Sequence, residues 1–159
     1  MSQVQKNSRV EVVVDAAVED VWQVVADVTR TGEWSHECRS VEWTDGAVAA
    51  VSGARFRGRN KTGWARWSRT CEIVAVDDRR ELVWRTIPTV LFPDSTEWRI
   101  HLEPTGEGTR ITQSFAVVRA PWLIDRLYAF VIPSHQDRDA RLAEDLARIG
   151  TASRPAVPQ

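Results

Sequence analysis

The run Trp67–Ile73 holds the residue with the most chemical consequence. Trp67, Arg69, Cys71 and Ile73 alternate with Ser68, Thr70 and Glu72, so they share one face of a β-strand. That face is apolar apart from Arg69. Either a bulge or an edge position turns the guanidinium to solvent, or it points inward and needs a carboxylate or an anionic ligand group beside it. Inward, it would anchor a carboxylate, enolate or phenolate. Gln113 is inward by the same parity, between Ile111 and Phe115. It is either a ligand contact or a core amide satisfied by its neighbours. Tyr128, the only tyrosine, and His135 fall on a helical stripe with Ile124, Val131, Leu142, Leu146 and Ile149. Pro133 should kink that helix. His135 would then act as an acid or base at a cavity mouth, or sit half-buried at its rim.

Other chemistries find no support in the spacing. There is no Ser-His-Asp set and no close carboxylate pair. His36, Cys38 and Cys71 lack zinc-ligand spacing, so no metal is expected. His101 alternates with Arg99 and Glu103 on a wet face. GARFRG (Gly53–Gly58) has no following Lys-Ser/Thr and is not a phosphate loop. Arg55, Arg57, Arg59 and Lys61 form a basic stripe without stacking aromatics, which reads as a solvated strand face and not a nucleic-acid surface.

The 159 residues fit one domain, with 43% hydrophobic and 27% charged residues, enough for a packed core. A net charge of −1 gives no field to collect nucleic acid or anionic membrane. Two cysteines are not a disulfide scaffold. With no signal-peptide core and no apolar run of bilayer length, the expectation is a cytoplasmic protein without stable membrane insertion, monomeric or homodimeric. Eight tryptophans stand out. They form either an unusually aromatic core or the wall of a cavity.

The elements follow from periodicity. Val10, Val12 and Val14 mark a first strand from Arg9. Val18, Val21, Trp22 and Val25 share a helical face, with Glu19 and Asp20 where the helix dipole favours negative charge. A short second turn brings in Trp34. Period two then runs through Val41 and Trp43, Ala54–Arg59, Trp64–Val76, Leu82–Thr86, Thr96–Leu102 and Ile111–Val117, with turns at Asn60–Gly63, at DDRR (77–80) and at PTGEG (104–108). From Pro121 a long helix runs to a stop at Gly150. The expected layout is a flexible start (1–8), a domain over 9–150 and a flexible tail (151–159).

This order resembles the START-like (SRPBCC) superfamily, in its bacterial polyketide cyclase/dehydrase-like branch. The resemblance is carried by Val10–Ser35, Gly53–Asn60, Trp67–Val74, Trp98–Phe115 and the last helix. It implies an α+β helix-grip fold, in which a curved antiparallel sheet wraps around a long C-terminal helix, with two short helices after the first strand. It also implies an apolar cavity between sheet and helix, and no cofactor. Members bind lipids, sterols, polyketides or hormone-like molecules there, and some cyclise or dehydrate a bound polyketide.

In that frame Trp22, Trp34 and Trp43 read as core. Trp67, Trp84 and Trp98 sit mid-sheet, where indoles suit a ring-shaped ligand. Trp64 and Trp122 find no assignment. The segment Ile87–Pro93 is apolar where hairpin loops are normally polar. Val90, Leu91 and Phe92 would gate the cavity, touch a membrane or a dimer partner, or fold back on the domain. The expected function is binding of an apolar, cyclic or aromatic, lipid- or polyketide-like molecule, with Trp67, Arg69, Trp84, Trp98, Gln113, Tyr128 and His135 as contacts. The alternatives are a polyketide aromatase/cyclase or dehydratase, in which Arg69 holds an enolate and Tyr128 or His135 moves the proton, and an interaction or stress protein whose cavity is incidental.

Overall fold

The computed structural model describes residues 7–119 and 139–154. Strand β1 (Asn7–Val14) is followed by helix α1 (Val18–Ala26) and a 3-10 turn (Val28–Glu33). Then come β2 (Cys38–Thr44), β3 (Arg55–Thr62), β4 (Ala65–Asp77), β5 (Glu81–Thr86), β6 (Ser95–Thr105) and β7 (Gly108–Arg119). Helix α2 covers Asp139–Ala152. The rest of the expected long helix, with Trp122, Tyr128, Pro133 and His135, lies outside the described residues. The strands form one antiparallel sheet in the order β1-β7-β6-β5-β4-β3-β2, with β1 and β2 at its edges. This is the α+β helix-grip arrangement.

Alternation decides which face each strand buries. Ile73, Leu82, Ile100, Leu102 and Ile111 are almost wholly buried on the inner face, against Val21, Val24, Leu146 and Ile149 of the two helices. The outer face carries many of the arginines. Its arginines meet acidic partners on adjacent strands, as in Arg55–Glu72, Arg85–Glu97 and Arg110–Glu103. His101 belongs to that face, 3.5 Å from Glu81.

Three details differ from the periodicity reading. The β3–β4 turn is the two residues Gly63–Trp64, because Thr62 pairs with Ala65. Gly63 supplies the positive φ of 58° that a type II′ hairpin needs at its first central position, and Trp64 is left exposed. A bulge between Ile73 and Ala75 exposes Val74 and turns Val76 back to the core. Finally, Gly150 does not stop α2, which runs on to Ala152. Gly150 is the contact point of helix and sheet: a Cβ there would lie 2.7 Å from Val14 Cβ and Cγ1. Only a residue without a side chain permits that approach.

Candidate functional site

Between the inner face of the sheet and the helices lies a cavity of about 180 Å³. Its wall comes from α1, the 3-10 turn, the loop after it, strands β2 to β7, the segment before β6 and α2. Trp67, Arg69, Trp84, Trp98 and Gln113 all line it. Trp84 and Trp98 are opposite each other across β5 and β6, and their indoles stack with centroids 6.1 Å apart and planes at 8°. Phe115 continues the aromatic surface, 5.0 Å from Trp98. Trp22 and Trp34 are buried, and Trp43 packs edge-on against Phe56 at 6.0 Å. Trp34 also lines the cavity.

Arg69 points inward and is little exposed. Its Nη1 donates to both carboxylate oxygens of Asp94 at 3.1 Å, and Nη2 donates to the Asp94 carbonyl at 3.0 Å. The Phe92 ring lies 5.2 Å below the guanidinium carbon. The cation is therefore balanced within the protein, as a buried guanidinium requires. The guanidinium nitrogen left without a partner is the buried Nε. Parity had no means of finding Asp94, because it lies in the irregular segment before β6.

Phe92 has a local cause. The Thr89 N–H donates to the Phe92 carbonyl, and the Phe92 N–H donates to Thr89 Oγ1. This tight turn throws Val90 and Leu91 into solvent and turns Phe92 back over Arg69. The loop root is fixed by Ser95 Oγ donating to the Thr86 carbonyl at 2.7 Å and by the Thr96 N–H donating to Thr86 Oγ1 at 2.8 Å.

A second polar station was not singled out by the sequence reading. The Ser35 hydroxyl accepts from the Cys38 and Glu37 N–H groups and bends the loop after Trp34. His36 follows on the cavity wall. Asp145, 2% exposed, takes the His36 backbone N–H at 2.9 Å and lies 2.7 Å from the ring Nδ1. Arg148 bridges to Asp145 and to the Trp34 carbonyl. The available signal was Asp145 itself, a carboxylate between Leu142 and Ile149 on an otherwise apolar helix face.

Burial pushes the cavity's two thiols up, Cys38 to about 11 and Cys71 to about 12. Both stay protonated at neutral pH and are poor nucleophiles. Unfolded thiols ionise first, around 9.0. Stability from these groups is thus complete below that value and is lost as pH rises toward 11 and 12. The urea midpoint should fall more steeply above pH 9 for the native chain than for a Cys38→Ala, Cys71→Ala variant; equal slopes would contradict the burial argument. Among the described residues no group of three His, Cys, Asp or Glu side chains is placed to hold a metal, and no helix is long and apolar enough to cross a membrane.

Residues 5–146 match the family described as polyketide cyclase / dehydrase and lipid transport. The chain belongs to this family. Within it, the fold resembles a polyketide-cyclase-like protein of Corynebacterium glutamicum, at 26% identity and a TM-score of 0.54, over 92% of this chain and 88% of that one. Protein NE0264 of Nitrosomonas europaea shares the fold at 15% identity, with a TM-score of 0.63 over 92% and 93% of the two chains. The major latex-like protein 151 of Panax ginseng does so at 13% identity, with a TM-score of 0.64 over 95% and 100%. No curated protein matches the chain. Family membership supports a hydrophobic ligand as the cavity's occupant and leaves the ligand unspecified.

Proposed function

We propose that this family member binds a flat, apolar, ring-containing small molecule in the cavity between sheet and α2. One observation carries the reading. Among the described residues, the buried side-chain polar atoms without a hydrogen-bond partner are Trp34 Nε1, Arg69 Nε and Gln113 Oε1. All three residues line this one cavity. Buried polar atoms are nearly always paired, so two donors and one acceptor left over among the residues of one cavity wall favour an occupant with complementary groups. The stacked Trp84 and Trp98 add aromatic surface to the wall. A volume of about 180 Å³ compares with the roughly 150 Å³ cavity that accepts benzene, which suits one ring or two fused rings.

Arg69 serves in this reading as a neutral-group donor. Asp94 already holds its charge, so its Nε–H suits a carbonyl or ether oxygen. Phe92 covers this station, and the Val90–Leu91 tip is the handle by which the loop would open.

Filling the cavity tests the proposal. Gly58 lines it on β3, and a Cβ there meets Cys38 Sγ at 3.4 Å and Val41 Cγ2 at 3.9 Å, ordinary contact distances. Gly58→Leu should therefore fold, place its isobutyl group in the cavity and weaken binding of naphthalene by about tenfold or more. Calorimetric titration of both proteins reads this. Undiminished binding in a folded Gly58→Leu variant would place the ligand elsewhere.

A further inference from the structure

We infer that His36, oriented by Asp145, recognises a hydroxyl group on the ring of an aromatic ligand. The inference rests on the apolar-ligand reading above and names the ligand's polar group.

The imidazole is fixed from one side. Asp145 lies 2.7 Å from Nδ1 through one oxygen, and its other oxygen takes the His36 backbone N–H and Arg148. The carboxylate accepts only, so the neutral ring carries its hydrogen on Nδ1 and its lone pair on Nε2. Nε2 has no partner among the described residues, and His36 is part of the cavity wall. Arg148, itself bonded to the Trp34 carbonyl at 2.9 Å, balances the buried charge of Asp145. The arrangement therefore holds an acceptor in place without needing a cationic imidazole to compensate the carboxylate.

Two residues back on the same loop, Trp34 offers a buried indole N–H with no partner. Both residues line the cavity, so one loop carries an unpaired acceptor and an unpaired donor in its wall. A hydroxyl placed between them would satisfy both, donating to Nε2 and accepting from Nε1–H. A carbonyl or an ether oxygen can only accept, and would leave Nε2 unpaired. An aryl hydroxyl fits better than an alkyl one for two reasons: it is the stronger donor, and its ring suits a cavity lined by Trp67, Trp84 and Trp98. No covalent step is required.

The test compares 2-naphthol, 2-methoxynaphthalene and decahydro-2-naphthol by calorimetric titration of the intact protein. A single hydrogen bond to a pre-oriented acceptor predicts that 2-naphthol binds about tenfold more tightly than its methyl ether. It should also bind more tightly than the saturated alcohol. In His36→Phe the preference for naphthol over ether should fall to about one. Equal binding of naphthol and ether by the native protein, or an unchanged preference in His36→Phe, would overturn the inference while leaving the apolar-ligand reading intact. Tighter binding of the saturated alcohol would overturn its aromatic part. If none of the three binds, both readings fall. Should His36→Phe not fold, the native protein still decides: the His36 ring nitrogen resonances should move on adding 2-naphthol and stay in place with the ether. Identical responses to the two would refute the contact.

Discussion

Asp145→Ala is expected to lower folding stability by about 2–3 kcal/mol, because it leaves buried donors without their acceptor. The carboxylate is 2% exposed and takes the His36 N–H, faces the imidazole and binds Arg148. Its loss strands three donors at the junction of α2 with the loop after Trp34. That loop is tied to the helix through Arg148 and the Trp34 carbonyl as well, so the damage should spread to the cavity wall. Asp145→Asn keeps the shape and one good acceptor, and should cost less than the alanine. Urea denaturation of the three proteins checks the order. An alanine variant as stable as the native chain would mean that helix docking depends on the apolar contacts of Leu142, Leu146 and Ile149 alone.

The second large effect concerns charge selection. In the native cavity Arg69 is held by Asp94, with side-chain exposures of 11% and 15%. A ligand carboxylate entering there would face the charge of Asp94, and like charges set close together cost several kcal/mol. The native protein should therefore discriminate against 2-naphthoate in favour of uncharged naphthalenes. Asp94→Asn removes the competing anion and leaves the guanidinium in place. The expected result is at least a tenfold gain in affinity for 2-naphthoate, together with reduced stability from the broken pair. No gain in a folded variant would show that the guanidinium cannot reach a ligand. The same substitution is the sharpest separation of an anion anchor from a neutral-group donor at Arg69.

Much of this arrangement was legible because strand parity is rigid. Inward placement of Trp67, Arg69, Trp84, Trp98 and Gln113 follows from counting by twos along β4 to β7, and each of them lines the cavity. Seven strands and a terminal helix were equally readable, since their apolar residues recur at fixed periods. The parts that escaped sit where no period operates. Asp94 occupies an irregular segment, and His36 a loop bent by the Ser35 hydroxyl. Their partners are 25 and 109 residues away in sequence. Periodicity puts Trp34 in the core; it is buried, yet its indole N–H has no partner. Gly150 was read as a helix stop because glycine commonly fills that role. Its actual role depends on Val14, far off in the chain, and spacing carries no record of such an encounter.

The clamp between His36 and Asp145 also has a consequence in time. Among the described residues the seven strands precede residue 120, and Asp145 belongs to the helix that follows them. During synthesis the sheet, with its indole wall and Arg69, can assemble while the residue that orients His36 is still inside the ribosome. Competence to hold a ligand at this station therefore arrives after the sheet, when that helix docks. Once it has arrived, ligand and helix reinforce each other. An occupant at a hundred times its Kd adds about 2.7 kcal/mol to the docked state, so the same molecule that fills the cavity helps to keep it closed.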